Sequence, residues 1–242
     1  MHAKLVDVAE LRRAARRCGR RLIDVRTPPS GIPIATGRKR TGRRLLTVGT
    51  DCALGKKYTA LALARAFAQR GVSAQFRATG QTGILISGAG MPMDAVVADF
   101  AAGAAEILSP DAPQDHWDVI EGQGSLLHPA YAGVSLALLH GSQPDVIVVC
   151  HQPGRRELIG HPGFHLPEIS DTIELNLRLG RCTNPRMRCA GLSLDTSQLD
   201  PQAAHRLMEG ESARFGMPAA DPMRGGAEFG RLVDACLQQH DP

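Results

Sequence analysis

Aromatic residues and long apolar runs are scarce in this chain. Phe, Trp and Tyr make up 4% of the 242 residues, and no apolar segment approaches the ~18 residues that suggest a membrane-spanning helix. Proteins that bind RNA stack its bases on aromatic side chains, so nucleic acid is not an expected partner. The amino-terminal stretch MHAKLVDVAELRRAARR carries charges where a secretory signal has its apolar core. We therefore predict a cytoplasmic protein without membrane partners.

Paired cysteine motifs are also missing. The six cysteines are Cys18, Cys52, Cys150, Cys182, Cys189 and Cys236. None of them forms a CxxC pair, so their spacing suggests neither a zinc finger nor a disulfide framework. Reduced thiols are the expected state.

Positive charge is concentrated near the amino terminus. The formal net charge is +4, and much of the excess lies in RRAARRCGRR and GRKRTGRR. Such clusters can bind anionic ligands, but a solvated basic linker has the same composition and is the interpretation we favour.

The first part of the chain has too few elements for a core of its own. A short helix is predicted over residues 7–18 and a strand over Arg21–Val25, followed by the linker-like TPPSGIPIATGRKRTGR. One helix and one strand cannot bury a core. We expect residues 1–43 to be the remnant of a larger amino-terminal domain with its linker, or a strand docked on the main domain.

From Leu45 onward, short apolar runs alternate with helical stretches. The predicted strands are Leu45–Val48, Ala74–Ala78, Asp118–Ile120, Val146–Cys150, Ala190–Leu194 and a short one near Ala219, and the predicted helices span 56–69, 94–107, 168–179, 201–215 and 226–238. This alternation implies right-handed crossovers and a mostly parallel sheet with helices on both faces. Residues 44–242 are therefore predicted to form an α/β domain, a Rossmann-like three-layer sandwich, with ligands at the carboxyl ends of the strands.

A glycine-rich loop joins the first of these strands to the first helix. In GTDCALGKK, five residues separate Gly49 from Gly55 before the loop lysine, one more than in GxxxxGK[ST]. Glycines permit the tight turn, while backbone N–H groups, the helix dipole and a lysine attract a diphosphate. The alternative is a plain strand-to-helix turn. This P-loop makes the predicted domain P-loop NTPase-like. Its predicted cofactor-binding residues are Gly49, Thr50, Asp51, Cys52, Ala53, Leu54, Gly55, Lys56, Lys57 and Tyr58.

The residue after the loop lysine departs from the P-loop pattern. Ser or Thr normally stands there to hold Mg²⁺, whereas this chain has Lys57. A second cation in place of a metal ligand weakens the case for ordinary Mg-nucleotide hydrolysis. A phosphate ligand that is neutralised by lysines instead of Mg²⁺ is left open.

Polar groups also follow the second predicted strand. In FRATGQTG, the side chains of Arg77, Thr79, Gln81 and Thr82 suit an amino-acid substrate, with the guanidinium gripping a carboxylate. A tight turn capped by the two threonines explains the same residues.

The segment EGQGSLLHP carries a stronger signal. Glu121 closes a strand and could hold Mg²⁺ beside a nucleotide, act as general base on an amine, or only cap the strand. Gln123 and Ser125 are predicted substrate contacts, and His128 is a second candidate base. After the fourth strand, Arg155 is a candidate clamp for a dicarboxylate, with a solvated side chain as the alternative.

These motifs resemble known families. GTDCALGK is similar to the loop of dethiobiotin synthetase, and WDVIEGQGSLLHP resembles that enzyme's strand ending in EGxG. A closer likeness runs from about Leu22 through ATGRKRTG, VGTDCALGKKYTA, FRATGQTGILISG and HWDVIEGQGSLLHPAYAGVSLALLHGSQPDVIVVCH. The chain is identified as a member of the family formerly catalogued as domain of unknown function 1611, whose characterised branch is D-glutamate N-acetyltransferase. Typical members carry a further amino-terminal Rossmann-like domain.

The resemblance implies transfer of an acetyl group from acetyl-CoA to the amino group of D-glutamate. Lys56 and Lys57 would neutralise the CoA phosphates without a metal, and Glu121 or His128 would take the amine proton. Backbone N–H groups of residues 80–83 or 122–125 would meet the oxyanion. The rival is an ATP- and Mg-dependent ligase or kinase with Asp51 and Glu121 on the metal, and a third option is a non-catalytic nucleotide-binding module. A homodimer is expected by analogy.

Overall fold

A six-stranded parallel sheet organises the chain, which the computed structural model describes over residues 4–238. Its strands are β1 (Arg43–Gly49), β2 (Ala74–Arg77), β3 (Trp117–Ile120), β4 (Val146–His151), β5 (Arg188–Leu194) and β6 (Ala219–Ala220). They lie in the order β2-β3-β1-β4-β5-β6, and every neighbouring pair is parallel. The predicted α/β class is confirmed. The strand order changes direction between β1 and β4, where ligands of such sheets bind.

Helices cover both faces of the sheet. The α-helices of residues 4–238 are α1 (Ala9–Arg17), α2 (Lys56–Gln69), α3 (Gln81–Ser87), α4 (Ala98–Leu108), α5 (Ala132–Ser142), α6 (Ile169–Gly180), α7 (Pro201–Phe215) and α8 (Gly226–Leu237). One face packs against α4, α5, α6 and α7, and the other packs against α2 and α8. Because both faces are covered, the central strand β4 is a continuous buried apolar run over Val146–Cys150.

The helix after the P-loop is held by one apolar stripe. Ala60, Leu63, Ala64 and Phe67 recur at helical spacing and are buried against the sheet. Phe67 meets Trp117 of β3 edge to face, with ring centroids 5.4 Å apart. This packing fixes the helix that presents the P-loop lysine.

Several predicted element boundaries differ from the structure. The helix predicted over residues 94–107 begins only at Ala98, after a separate 3-10 turn at Met93–Ala95. Two helices, α3 and α5, were not predicted, because α3 is short and α5 has no polar stripe. The strand predicted over Arg21–Val25 is wrong: this stretch pairs with no strand, and Ile23 is mostly exposed. No helix within residues 4–238 is both long and apolar enough to cross a membrane.

The basic segment before β1 is not the solvated linker that its composition predicts. Arg40 and Arg44 are buried, and Arg40 donates hydrogen bonds to the carbonyl oxygens of Ser109 and Gly141, both at 2.7 Å. Burial lowers the pKa of Arg40 to about 10, so the guanidinium remains charged at neutral pH. Backbone carbonyl oxygens at the ends of α4 and α5 solvate the Arg40 guanidinium in place of water.

Further contacts fasten the same segment to α4. Glu106 accepts hydrogen bonds from the backbone N–H groups of Thr36 (3.0 Å) and Gly37 (2.8 Å). The backbone of Pro33 runs so close to Gly103 that any side chain there would overlap with the Pro33 carbonyl. Residues 33–44 are therefore docked on the main domain.

Replacing Arg40 should destabilise the domain. In Arg40→Met, the carbonyls of Ser109 and Gly141 lose buried donors, and each such loss costs about 1–3 kcal/mol. We expect the free energy of unfolding in urea to fall by about 3 kcal/mol in total. The matched control is Arg38→Met, because the Arg38 side chain is 65% exposed and should matter little. If the two variants had the same free energy of unfolding, the docking of residues 33–44 through Arg40 would be contradicted.

Candidate active site

The P-loop lies at the point where the strand order of the sheet changes direction. β1 ends at Gly49, the loop runs through residues 50–55, and α2 begins at Lys56. Gly55 has φ +86°, which favours glycine, and Ala53 also has positive φ (+52°). The hydroxyl of Thr47 donates to the carbonyl of Lys56 (3.1 Å) and accepts from Gly122 N–H (3.0 Å). The loop is thereby joined to the end of β3.

The loop lysine is buried inside the P-loop. Lys56 is 6% exposed, and its ammonium donates to the backbone carbonyl of Asp51 at 2.6 Å. Burial lowers the pKa of Lys56. A phosphate in the loop would supply the counter-charge that this ammonium lacks.

Lys57 and Tyr58 lie at the outer rim of the P-loop. The Lys57 ammonium lies 4.5 Å from the centroid of the Tyr58 ring, and Tyr58 is half exposed. This is a cation–π contact. The position that normally supplies a metal ligand therefore carries a cation here.

Asp51 is fully buried, and both of its carboxylate oxygens are occupied by protein donors. Oδ2 accepts from the Arg155 guanidinium (2.9 Å) and from Ile159 N–H (2.8 Å), and Oδ1 accepts from Cys52 N–H (2.6 Å). Arg155 also donates to the carbonyls of Cys52 (2.9 Å) and Ala53 (3.2 Å). Arg155, predicted as a substrate clamp, is therefore bonded to the P-loop through three of its residues.

His128 lies on the other side of the Asp51 carboxylate. Its Nδ1 accepts a hydrogen bond from Ala130 N–H (3.1 Å), so in the neutral ring the proton is on Nε2. That Nε2 is buried, lacks a hydrogen-bond partner and lies 3.6 Å from Asp51 Oδ1. Burial lowers the pKa of His128, and the ring stacks on Tyr131 and meets His161 edge to face. The basic nitrogen is therefore turned towards the protein backbone.

Asp51, Cys52 and His128 bring three potential metal ligands together. One ligand atom from each lies within 4.8 Å of the others. Mg²⁺ takes oxygen ligands, of which this set offers one carboxylate already bonded to Arg155. A softer metal would need the lone pair of His128 Nε2, where the ring carries its proton. The donor set therefore fits neither kind of metal.

Glu121 is the buried carboxylate beside the P-loop. It is 6% exposed, and its Oε2 accepts from the N–H groups of Thr79 (3.0 Å) and Gly80 (3.2 Å). Burial raises the pKa of Glu121, against the opposing effect of these bonds and of Lys57 and Lys56. Only Oε2 makes these bonds. A carboxylate with a raised pKa and a second oxygen free of these two hydrogen bonds suits proton transfer.

The other predicted substrate residues divide into two groups. Thr79 donates to the Glu121 carbonyl (2.7 Å) and accepts from Gln123 Nε2 (2.7 Å), so both line the Glu121 site. Ser125 is buried, and its hydroxyl accepts from Leu127 N–H (3.2 Å). Gln81 and Thr82 begin α3 and are at least partly exposed.

Arg77 is turned away from the predicted substrate site. Its guanidinium donates to the buried Asp118 carboxylate at 2.7 Å, and His116 approaches the same oxygen at 3.3 Å. Asp118 lies within β3, two residues before that strand ends. The guanidinium that was predicted to grip a substrate carboxylate is therefore paired inside the sheet.

The sequence did not reveal three groups that shape this site. Thr47 joins the P-loop to Gly122, and Ile159 N–H binds Asp51. His151 Nδ1 lies 3.1 Å from the Thr50 hydroxyl. All three contacts join segments that are distant in sequence, so no local pattern could have indicated them.

Gly83 provides a test of the Glu121 position. A side chain at Gly83 would overlap with Oε2 of Glu121. We expect Gly83→Ala to lower kcat by roughly 100-fold, as a small misplacement of a catalytic group can do. Displacing Oε2 also weakens its hydrogen bonds from Thr79 and Gly80 N–H, which offsets the advantage of about 1 kcal/mol that Ala has over Gly within helices, so Tm should not rise. Steady-state kinetics and thermal melting would measure the two effects.

Gly210→Ala is the matched control for this substitution. Gly210 lies within α7, and an added Cβ there meets nothing within 4 Å. It should retain native kcat with equal or higher Tm. Native kcat in Gly83→Ala as well would show that the position of Glu121 is not critical.

The comparisons with known proteins agree with this architecture. Residues 33–233 match the family described as "Domain of unknown function (DUF1611_C) P-loop domain". A D-glutamate N-acetyltransferase from Pseudoalteromonas sp is 48% identical over 228 residues, covering 94% of this chain and 69% of that protein. A second protein of that name, from Tritonibacter scottomollicae, is 48% identical over 235 residues, covering 97% and 70%.

A solved structure is similar over almost the whole chain. The crystal structure of a DUF1611 family protein from Anabaena variabilis ATCC 29413 superposes with a TM-score of 0.89 at 36% identity. The match covers 99% of this chain and 70% of that one. The family that the motifs indicated is confirmed by sequence and by structure. The chain belongs to the DUF1611 P-loop domain family.

Proposed function

We propose that this protein transfers the acetyl group of acetyl-CoA to the amino group of D-glutamate. The observation that carries the proposal is the 48% identity, over most of the chain, to two proteins named D-glutamate N-acetyltransferase. Fold alone would not support it, because P-loop sheets host many reactions. The chemistry of the site described above is compatible with such a transfer.

The P-loop is proposed to hold the diphosphate of CoA. Its backbone N–H groups, the start of α2 and the buried Lys56 provide the positive charge that a diphosphate needs. Lys57 adds a second cation at the rim, so the phosphates can be neutralised by lysines. The residues Gly49, Thr50, Asp51, Cys52, Ala53, Leu54, Gly55 and Tyr58 complete the proposed cofactor site.

Glu121 is proposed as the general base. It would take a proton from the substrate ammonium, so that the free amine attacks the thioester carbonyl. In the resulting tetrahedral intermediate an N–C bond has formed. The C–S bond then breaks, the leaving CoA thiolate receives the proton held by Glu121, and the second proton of the attacking nitrogen leaves through Glu121 to water. The raised pKa of Glu121 suits these proton transfers.

His128 is less suited to that role than Glu121. Its basic nitrogen accepts from Ala130 N–H, and the side chain is buried beside Asp51. We propose that it supports the P-loop through that contact.

The amino-acid substrate is proposed to bind near Glu121, beside Thr79, Gln81, Thr82, Gln123 and Ser125. Within residues 4–238, the backbone N–H groups of Gln123 and Gly124 bond to no protein acceptor. They are therefore candidates for stabilising the oxyanion. Arg77 and Arg155 are engaged elsewhere in the protein and are not needed for the proposal.

A binding and turnover experiment tests the proposed reaction. Titration calorimetry with acetyl-CoA and with ATP, each with Mg²⁺ or with EDTA, identifies the phosphate ligand. We expect metal-independent binding of acetyl-CoA, followed by release of free thiol when D-glutamate is added. Tight binding of Mg-ATP with indifference to acetyl-CoA would instead favour the ligase or kinase. Binding without turnover of either would favour a nucleotide-binding module.

Cellular context and assembly are part of the proposal. We propose a cytoplasmic enzyme of D-amino acid metabolism that works as a homodimer. Light scattering coupled to size-exclusion chromatography measures the assembly, and a monomeric mass at micromolar concentration would refute the dimer.

A further inference from the structure

A cavity of about 470 Å³ lies beside the P-loop and has no part in the transfer described above. Its floor is at the carboxyl ends of β4 and β5, where His151 and Leu194 contribute to the lining. The loop after β4, the start of α6 and one side of α7 complete the walls. This volume is in the range of cavities that hold drug-sized ligands.

The cavity is continuous with the P-loop through two residues. His151 lines the cavity, and its Nδ1 lies 3.1 Å from the hydroxyl of Thr50. Arg155 also lines the cavity while its guanidinium bonds to Asp51 and Cys52. The cavity therefore adjoins the loop in which a diphosphate would lie.

The walls combine apolar side chains with arginines and with the carboxylates of Glu168 and Glu211. The apolar part is formed by Leu166, Pro167, Ile169, Leu194 and Leu207. This lining suits a heterocyclic base, which has apolar faces.

The cations of the wall are arginines at its rim. Among residues 4–238, the Arg156 guanidinium has no hydrogen-bond or ion-pair partner. Arg214 forms ion pairs with Glu168 (3.7 Å) and Glu211 (3.6 Å) and lies over the Phe215 ring, and its side chain is 55% exposed. Arg156 is available to a phosphate, and Arg214 can reach one by exchanging these solvent-exposed contacts for the forked geometry that guanidinium groups form with phosphate.

With Glu121 as the proposed base, the position of the cavity disfavours the amino-acid substrate as its occupant. Neighbouring strands are about 4.8 Å apart, so two to three strand spacings between β3 and β4–β5 separate Glu121 from the cavity by about 10–15 Å. An amine in the cavity would be too far from Glu121 for proton transfer. The far end of the acetyl donor is a better match.

Building on the proposed acetyl transfer, we propose that this cavity binds the adenosine end of CoA. The adenine lies between the apolar walls, and Arg156 and Arg214 bind the 3′-phosphate. The diphosphate occupies the P-loop, and the thioester extends in the opposite direction towards Glu121. The 3′-phosphate distinguishes CoA from ATP and ADP, so this pair of arginines would make the P-loop selective for CoA.

The test compares CoA with 3′-dephospho-CoA by titration calorimetry. We expect the native protein to prefer CoA by roughly 10- to 100-fold, as one or two charge-assisted hydrogen bonds provide. In the double variant Arg156→Gln/Arg214→Gln, the preference should fall to about 3-fold or less, while the affinity for dephospho-CoA changes little. Arg231→Gln on α8 is the matched control, since its side chain is 57% exposed and remote from the cavity lining.

The outcomes separate this inference from the proposed function. Equal affinity of the native protein for the two ligands would overturn the 3′-phosphate site and leave acetyl transfer intact. An unchanged preference of the double variant for CoA over dephospho-CoA would also overturn the 3′-phosphate site and leave acetyl transfer intact. Failure of the native protein to bind either ligand would overturn both proposals. Each variant is checked by circular dichroism, and native-like affinity for dephospho-CoA verifies that the P-loop is intact.

Discussion

Glu121→Gln should lower kcat by roughly 100- to 10,000-fold, the range that general-base catalysis contributes. The amide keeps an oxygen that can accept the N–H bonds of Thr79 and Gly80, but it cannot take a proton from the substrate. The KM for acetyl-CoA should change little, because the P-loop is untouched. The measurement is the rate of thiol release at saturating substrates.

Glu121→Gln should also change how the stability of the protein depends on pH. Burial raises the pKa of Glu121 in the folded state above its unfolded value. The stability linked to this group is therefore fully present below the unfolded pKa and is lost as pH rises through the folded pKa. Removing the charge should leave Tm at pH 8 equal to or higher than that of the native protein. At a pH below the unfolded pKa, the two proteins should melt alike.

Glu174→Gln is the matched control for the loss of the base. Glu174 is exposed on α6, away from the site, so the Glu174→Gln variant should retain native kcat and Tm.

For the native enzyme, kcat/KM should fall as pH decreases through the raised pKa of Glu121. A kcat within 3-fold of native in Glu121→Gln would remove Glu121 from the mechanism, since a general base contributes at least about 100-fold.

Lys56→Ala should weaken acetyl-CoA binding by roughly 30- to 150-fold. This range corresponds to about 2–3 kcal/mol for a charge-assisted contact to phosphate. Titration calorimetry in EDTA measures the effect directly. Because burial lowers the pKa of Lys56, its charge opposes folding when no anion is bound, and the variant should not lose Tm.

Lys4→Ala provides the control for this variant. Lys4 is exposed and far from the P-loop in sequence, so its loss should leave the affinity unchanged. If Lys56→Ala bound acetyl-CoA as tightly as the native protein, the P-loop would not be the phosphate site.

The P-loop could be predicted because its signal is local. Strand, glycines, lysine and helix follow one another within one stretch of sequence, and the apolar stripe of α2 continues the pattern. The roles of Arg77 and Arg155 could not be predicted in the same way. Their partners, Asp118 and Asp51, are distant in sequence, and ion pairing depends on tertiary structure.

Helices without a polar stripe also could not be predicted from the periodicity of polar and apolar residues. The α5 sequence AGVSLALLHGS is apolar on nearly all sides, and it packs closely against α4 at Gly141, where an added Cβ would overlap with the Ala102 carbonyl. A periodic pattern of polar and apolar residues indicates a helix with one face in solvent. The α5 helix is largely enclosed and therefore lacks such a pattern. The His128 tautomer was equally hidden, since it depends on one backbone N–H two residues later.

The docked residues 33–44 determine where the chain can be cut. A fragment that began at β1 would keep the whole sheet but lose Arg40, which holds the ends of α4 and α5 together through Ser109 and Gly141. Those carbonyls would face a gap in the protein surface, and α4 would lose the backbone that packs on Gly103. An autonomous catalytic fragment should therefore start before Pro33, although no strand or helix of the sheet domain begins there.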